Sequence, residues 1–334
     1  MKCLAVLTVM ALVSGATAQA PESSGIPGIR TIEDLDKAAV FSFAIMSDNN
    51  SDSPKTAPEF ARMVKWIAEA GDAFVIGLGD HLDKGLGRSF LDFVAENKWW
   101  HDHFYPNVAD HENHFYGKGQ GDWGAGKKIF DEVDLRSRKG VEIRPNGAEY
   151  YAKIPVKGYT VHLIQLSYPD EPPDPDVAFR PDSRKYLADT IKKIDKGEKD
   201  IIIACAHSRY GWWTYLLSDE QRKVVMEKAD LVLSATVHVF ARIPVDGYEE
   251  RGALCVNTGS ITYPRFFTPP GYVQVHVLEN PLRLVVQYIH ANLEQRQLQS
   301  GEYAWLKYIN GKIEPAKFAA DMALGTQAGA SLIP

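Results

Sequence analysis

The stretch Val75-Ile76-Gly77-Leu78-Gly79-Asp80-His81-Leu82-Asp83-Lys84-Gly85 joins an apolar run to a loop of glycines and acids. Residues 73–78 predict a short buried strand, which places Asp80 and Asp83 on the loop at its carboxyl end. In open α/β sheets ligands bind at that edge, and a carboxylate there suits a hard divalent cation. Taken alone, the stretch fits a cation site and an ordinary Asp-capped turn equally well.

Four more polar residues follow apolar runs, or lie in polar segments, farther along the chain. If the strands that carry them lie side by side, these acids and imidazoles converge on one pocket. The four residues are Asp48 after the run 39–46, Asp110 in the segment 107–113, His207 after the run 201–206, and His238 after the run 231–234.

This ordered series resembles the calcineurin-like metallophosphoesterases, whose motifs are DxH, GDxxD, GNH(D/E), H and GHxH. The resemblance spans about Val40 to Ile289, and the segment Thr236–Arg242 is similar to the purple-acid-phosphatase-like branch of the family. The fold that it implies is α/β, a four-layer α/β/β/α sandwich of two mixed β-sheets flanked by helices.

The resemblance also implies hydrolysis of a phosphate ester by attack of a metal-bound hydroxide. The cofactors would be two divalent ions, with Mn, Mg, Fe and Zn as candidates. Asp80 would bridge the ions, Asp48 and His238 would bind the first, and His207 and Asp110 would serve the second. The full set of implied metal positions is Asp48, Asn50, Asp80, Asp110, His207, Thr236 and His238.

Three residues around these positions receive supporting roles from the same resemblance. His111 would protonate the leaving oxygen, which suits an imidazole near neutral pH. Glu112 would orient His111, and Asp83 would support the metal ligands from outside their shell. Asp83 stands where purple acid phosphatases have a tyrosine ligand, so the Fe(III)–tyrosinate colour is expected to be absent.

Three departures from the family pattern weaken the implied site. Asn50 replaces the His of DxH, Asp110 replaces the Asn of GNH, and Thr236 replaces the first His of GHxH. Asn and Thr bind borderline metals more weakly than imidazole does, so Mn²⁺ or Mg²⁺ is expected to compete better than zinc.

The departures leave a second hypothesis open, a degenerate family member that is weakly active or inactive and serves as a binding module. Its ligand platform would be aromatic, although aromatic residues are commonly core residues. The candidates are Trp99, Trp100, Phe104, Tyr105, Trp123, Trp212 and Trp213.

Other histidines and isolated basic residues are expected to be structural or solvated more often than functional. The histidines near the motifs are either phosphate contacts or hydrogen-bonded loop residues, namely His81, His101, His103 and His114. Those in strand patterns are expected to be structural, namely His162, His276 and His290. The isolated basic residues are Lys84, Arg209 and Arg242.

Composition indicates a globular chain of 334 residues, 45% hydrophobic and 24% charged, with net charge -6. This acidity does not favour nucleic acid or anionic membranes as partners, and the implied partner is a small-molecule phosphate ester. Cys205 and Cys255 lie in apolar runs, so buried free thiols are expected, with a disulfide left as the alternative.

The two ends of the sequence predict a cleaved signal peptide, a linker and a C-terminal extension. Residues 1–18 combine Lys2, an apolar core and Ala16-Thr17-Ala18, which is typical of a signal peptide and predicts a secreted or periplasmic protein. The predicted divisions that follow are a linker at 19–38, the metallophosphoesterase domain at 39–290 and a C-terminal extension at 291–334.

Periodicity predicts the remaining elements. Helices are expected at 57–70, 89–97 and 182–196, and a further helix begins at the capping box of Ser218 and Gln221. Paired strands are expected at 150–155 and 159–167, and loops at 99–126 and 168–181. Strands near Leu254, at 272–278 and at 283–289 are expected to complete a second sheet.

Overall fold

A computed structural model describes residues 26–82, 87–117, 125–145, 148–167, 181–208, 211–263, 268–309 and 311–318. The predicted signal peptide, Asp83, Lys84, Arg209, Trp123 and nearly all of the predicted loop at 168–181 lie outside these residues.

The first half of the chain alternates helices with short strands. Its elements are α1 (Ile32–Ala38), β1 (Phe41–Met46), α2 (Pro58–Ala70), β2 (Val75–Gly77), α3 (Ser89–Glu96), α4 (Lys98–His103), β3 (Phe104–Tyr105), α5 (Asp110–Gly117), α6 (Ile129–Glu132), β4 (Val141–Ile143), β5 (Tyr150–Val156) and β6 (Tyr159–Leu166).

The second half is richer in strands. Its elements are α7 (Pro181–Lys193), β7 (Asp200–Ala206), α8 (Trp212–Tyr215), α9 (Asp219–Lys228), β8 (Leu231–Ser234), β9 (Phe240–Arg242), β10 (Leu254–Thr258), β11 (Gly271–Leu278), β12 (Arg283–His290), β13 (Ala304–Tyr308) and β14 (Ile313–Pro315).

The strands form two seven-stranded mixed sheets, which confirms the predicted sandwich. The first sheet has the order β14-β13-β12-β11-β1-β2-β3 and the second the order β4-β5-β6-β7-β8-β10-β9. In the first sheet β1, β2 and β3 are parallel to one another, and in the second β6, β7, β8 and β10 are parallel. Helices α1 and α2 pack on the first sheet, and α7 with α9 covers the second.

Strand β7 illustrates why the central strands are apolar throughout. Its alternate residues Ile201, Ile203 and Cys205 face the core between the sheets, while Ile202 and Ala204 pack with α7 and α9 on the outer side. A strand buried on both faces needs apolar residues at every position, which is why its sequence shows no polar alternation. Cys205 and Cys255 are buried and free, as predicted.

Two predictions about elements are wrong. Residues 99–126 are not one long loop, because α4, β3 and α5 lie within them, anchored by the buried side chains of Trp100 and Phe104. Strands β11 and β12 do not join β10 in the second sheet, since β11 pairs with β1 in the first. The strands that precede the predicted site residues are divided between the sheets, with β1 and β2 in the first and β7 and β8 in the second.

Both predicted extensions contribute to the fold. In the predicted linker, Thr31 and Asp34 form a capping box that begins α1, and Ile32 and Leu35 are buried. In the predicted C-terminal extension, β13 and β14 lengthen the first sheet beyond β12. The predicted domain boundaries themselves stay predictions. The longest helices of the described part have 13 residues, which is too short to cross a bilayer.

A buried carboxyl group at the start of the loop to β2 generates a stability prediction. Asp72 is buried, and both of its oxygens accept from Gln274 Nε2, at 3.3 and 3.2 Å. Burial raises the pKa of Asp72 to about 7, although the Ser42 and Gln274 hydrogen bonds oppose the rise. Because the folded state then holds its proton more tightly than the unfolded state, stability is lost as pH rises from about 4 towards 7.

We therefore expect Asp72→Asn to gain stability relative to the parent protein as pH rises. The gain should approach about 4 kcal/mol at pH 8 and vanish near pH 4, as measured by urea unfolding across this range. The matched control is Asp246→Asn at an exposed position. A parent and an Asp72→Asn variant with parallel pH profiles would contradict the prediction.

Candidate metal centre

The candidate centre lies where the carboxyl ends of strands from both sheets meet. Asp48 and Asp80 follow the parallel neighbours β1 and β2, which pair Met46 with Gly77 at their ends. His207 follows β7 of the second sheet. The predicted residues thus converge across the interface between the two sheets, with one set of ligands from each.

Asp80 is the centre of the cluster. Its Oδ2 lies 3.3 Å from His207 Nε2 and 3.7 Å from His111 Nε2. The cluster contains two groups of three residues, and within each group the potential ligand atoms lie within 4.8 Å of one another. The groups are Asp48-Asp80-His207 and Asp80-Asp110-His111. Asp80 belongs to both groups. The resemblance placed His207 with Asp110, whereas the geometry places it with Asp48.

His238 extends the first of these groups through Asp48. His238 Nε2 lies 3.2 Å from Asp48 Oδ1, and His207 Nε2 lies 4.0 Å from the same oxygen. Thr236 is also close, since its backbone N–H donates to Asp48 Oδ2 at 3.4 Å. The side chain of Asp48 is therefore surrounded by three residues from the second sheet.

Unpaired polar atoms test whether these residues fit a cation. Among the buried polar atoms of the described residues that have no hydrogen-bond partner, four belong to predicted ligands: Asp48 Oδ1, Asn50 Oδ1, His207 Nε2 and Thr236 Oγ1. An unpaired buried polar atom costs about 1–3 kcal/mol, so four in one cluster call for a missing partner. The three oxygens offer lone pairs, His207 Nε2 does so once it has lost its proton, and a divalent cation would satisfy all four atoms.

The backbone that carries the cluster is strained. Five candidate ligands have positive φ angles although none is glycine: Asp48 at 55°, Asn50 at 45°, Asp80 at 55°, Thr236 at 83° and His238 at 56°. This region is unfavourable for a β-branched residue such as Thr236. Strain that gathers at one place is typical of functional sites, where the surrounding structure imposes it.

Backbone hydrogen bonds between two loops impose the strain. Asp48 N–H donates to the Gly79 carbonyl at 3.0 Å, and Asn50 N–H donates to the Asp80 carbonyl at 2.8 Å. Gly79 has a φ of +98°, and a Cβ there would lie 2.6 Å from Ala109 Cβ and 3.0 Å from His207 Nδ1. This glycine thus allows the loops and the imidazole to pack together.

Both imidazoles that face Asp80 are oriented by carbonyl groups. His207 Nδ1 donates to the Leu78 carbonyl at 2.7 Å, and His111 Nδ1 donates to the Leu82 carbonyl at 3.1 Å. In each case Nε2 is the atom that faces the carboxylates, an arrangement usual for histidine ligands.

The electrostatics of the cluster favour positive charge. Burial disfavours a charged imidazole, but the carboxylates of Asp80 and Asp48 outweigh it and raise the pKa of His207 to about 10. Burial also acts against the charged form of Asp48, yet His238 and His207 hold the pKa of this carboxyl group below its usual value. A bound cation would take the place of the proton that the carboxylates attract.

Glu112 has a different role from the one that the resemblance implies. Its Oε1 accepts from the N–H groups of His81 at 2.6 Å and Leu82 at 3.2 Å, and its Oε2 accepts from those of Asp80 at 3.1 Å and Ala109 at 2.9 Å. The carboxylate therefore holds the loop that carries Asp80. The carbonyl of Leu82, rather than Glu112, orients His111.

Sequence reasoning missed two supports of Asp48. Ser260 Oγ donates to the Asp48 carbonyl at 2.7 Å and accepts from the Tyr263 N–H at 2.9 Å. Thr262 Oγ1 donates to the same carbonyl at 3.4 Å. Both residues lie in the loop between β10 and β11, and no motif in the sequence marks them.

The remaining candidates lie away from the cluster or are used elsewhere. His81 is buried, and both ring nitrogens are occupied, by Asn49 Oδ1 at 2.7 Å and by the Gly79 N–H at 3.1 Å. Arg242 lies over the Trp305 ring. Four residues of the predicted aromatic platform are core residues, namely Trp100, Phe104, Trp212 and Trp213, while Trp99 and Tyr105 are partly buried.

Comparisons with known proteins bear on the fold. No family model and no curated protein matches the chain. GAP50 of Plasmodium, the anchor in the inner membrane complex, is 13% identical over 85% of this chain and 92% of its own, with a TM-score of 0.50. At this identity the similarity shows a shared fold.

Two further solved structures are more distant. A 5'-nucleotidase from Candida albicans is 14% identical, with a TM-score of 0.42. The match covers 77% of this chain and 54% of the nucleotidase, so this chain spans about half of that enzyme. Vps29 from Chaetomium thermophilum is 14% identical, with coverage of 81% and 97% and a TM-score of 0.33.

Removing the Glu112 carboxylate is expected to destabilise the fold. Glu112→Ala leaves four buried N–H groups without their acceptor, so the free energy of unfolding should fall by about 3 kcal/mol or more. The measurement is urea unfolding at neutral pH. The matched control is Glu96→Ala, which removes an exposed ion pair with Lys55 and should cost less than about 1 kcal/mol. Equal losses in the two variants would contradict the role of Glu112.

Proposed function

We propose that the chain is a metal-dependent phosphoesterase that hydrolyses a small-molecule phosphate ester. The shared position of Asp80 in two groups of potential ligands carries this proposal. Two-metal phosphoryl transfer requires a carboxylate that both ions can share. The unpaired atoms of Asp48, Asn50, His207 and Thr236 support the same conclusion, because each can donate a lone pair to a cation.

The residues divide into two sets around Asp80. Asp48, His207 and His238, with the oxygens of Asn50 and Thr236, would hold one ion, and Asp110 with His111 lies on the other side. When bound, divalent ions neutralise phosphoryl oxygens and lower the pKa of water.

His111 is the proposed proton donor to the leaving oxygen. It is partly exposed, with 20% of its side-chain surface accessible, while Asp80 is buried. Its Nδ1 is bound to the Leu82 carbonyl, which leaves Nε2 to exchange protons with the substrate. Glu112 fixes the loop between them, so the His111 ring and the Asp80 carboxylate keep their relative positions.

The proposal also covers the location of the mature protein and its branch within the family that it resembles. We place the mature protein outside the cytoplasm, on the signal-like pattern of residues 1–18. Membership of the purple-acid-phosphatase-like branch rests on the segment Thr236–Arg242 and stays a prediction.

Hydrolysis of p-nitrophenyl phosphate with added Mn²⁺ tests the function. We expect Asp80→Asn and His111→Ala to lower kcat/KM by at least about 100-fold, because each removes a group that acts in the reaction. The matched control is His103→Ala, whose ring stacks on Trp99 and donates to the Trp99 carbonyl, and it should keep full activity. Undiminished turnover by folded Asp80→Asn protein would reject the assignment.

The metal preference gives a separate test. Two oxygen ligands replace imidazoles at Asn50 and Thr236, so protein purified without added metal should hold little zinc and should be activated by Mn²⁺ or Mg²⁺. Elemental analysis followed by titration with each ion measures this. Tight stoichiometric zinc would contradict the expected preference for harder ions.

A binding module is the second candidate, and Asn50 and Thr236 are the observations that favour it. With two weakened ligands, the protein would keep its fold and could still bind a cation, but it would not catalyse hydrolysis efficiently. A shared fold does not by itself establish activity. Absence of turnover with every ion tested would favour this candidate. Activity that arises in the double variant Asn50→His/Thr236→His alone would indicate an enzyme that has lost its function.

A further inference from the structure

A polar cavity lies on the outer face of the second sheet, between α7 and strands β4 to β7. Its volume is about 550 Å³, within the range of small-molecule sites. Asp200 begins β7 and His207 directly follows its end, so the cavity and the metal centre lie at opposite ends of that strand. Seven residue steps along a strand correspond to about 23 Å.

His162 forms the polar floor of the cavity. It is 6% exposed, and its Nδ1 shares a hydrogen bond of 2.7 Å with the hydroxyl of Tyr151. Its Nε2 has no hydrogen-bond partner within the described residues, and Asp200 Oδ1 lies 3.6 Å away. Burial lowers the pKa of His162, which favours the neutral ring, and in the tautomer whose Nδ1–H donates to the Tyr151 hydroxyl, Nε2 can accept a hydrogen bond.

Asp200 is fixed in place beside this imidazole. Its Oδ2 accepts from the Gly197 N–H at 2.7 Å, which directs Oδ1 towards His162. One donor atom placed between Oδ1 and Nε2 could bond to both. The buried His162 Nε2 thus lacks a partner within the described residues, and the Asp200 side chain beside it is 20% exposed, so a donor that enters the cavity could reach both atoms.

The walls of the cavity favour a cation. Its carboxylates outnumber its ammonium groups, with Glu142, Asp189, Asp195 and Asp200 against Lys153 and Lys193. Asp189 pairs with Lys185 at the surface, which leaves the other three acids towards the cavity. Tyr151 and Tyr186 add aromatic surface, and Tyr186 already holds the Arg144 guanidinium 4.7 Å from its ring centre.

We propose that this cavity is a binding site for a small organic ammonium compound, whose N–H group donates to His162 Nε2 and Asp200 Oδ1. Its apolar part lies against Tyr151 and Tyr186. The site is independent of the proposed phosphoesterase activity, since it shares no residue with the metal centre.

Calorimetric titration with 2-phenylethylammonium tests the site. We expect saturable binding by the full chain, and binding at least about tenfold weaker for the neutral analogue 2-phenylethanol, because a charge-assisted hydrogen bond is lost. Asp200→Asn should weaken ammonium binding by about tenfold or more while keeping the acceptor for Gly197. His162→Phe should do the same by removing Nε2.

Two matched variants separate this site from unspecific attraction. Asp219→Asn removes one negative charge at a side chain that is 98% exposed, and Asp80→Asn removes one at the metal centre. Both should bind the ammonium compound as the parent does. Equal affinity for the alcohol, unchanged affinity in Asp200→Asn, a loss in Asp80→Asn instead, or no binding by the parent up to about 10 mM would each overturn the proposal.

Discussion

The burial of two neighbouring carboxylates is the constraint on which this structure depends. Asp48 is fully buried and Asp80 is 5% exposed, and both lie within reach of the same imidazole, His207. Buried anions are costly unless a positive charge and hydrogen bonds compensate them. The surrounding residues provide this compensation. Backbone carbonyl groups orient the imidazoles towards the carboxylates, and Glu112 fixes the Asp80 loop by accepting from four backbone N–H groups.

The architecture explains how such a cluster is positioned. Parallel neighbours β1 and β2 deliver the carboxylates, and parallel β7 and β8 of the other sheet deliver the imidazoles. Tight loops at the strand ends force Asp48, Asp80, Thr236 and His238 into left-handed backbone conformations. The rigid sheets on either side sustain that strain, and the loops between them carry the chemistry.

Much of this arrangement could be predicted from the sequence, because it rests on local signals. The apolar runs of β1, β2, β7 and β8 and the polar residues after them are readable from periodicity, as are the capped helices α2 and α9. Pairing between distant strands is not readable in this way. The sequence of β11 does not indicate whether this strand pairs with β1 or with β10, because both of these strands are apolar.

The role of individual side chains was also beyond the sequence. Glu112 adjoins His111 in the chain, which suggests a contact between their side chains. On a helix, however, adjacent residues point in different directions, and the carboxylate turns towards the Asp80 loop. His162 was predicted to be structural because it lies in a strand pattern, and its unpaired nitrogen becomes visible when α7 and Asp200 are placed around it.

The division of the ligands between two sheets determines when the chain can acquire a cation. Asp48 and Thr236, which touch in the folded protein, are separated by 188 residues. Closing so long a loop is entropically costly and belongs to the late, non-local steps of folding. Until the sheets dock, Asp48 and Asp80 lack the imidazoles of His207 and His238, although Asp80, Asp110 and His111 all precede β4. The candidate group of Asp48, Asp80 and His207 is therefore complete only after the two sheets have docked.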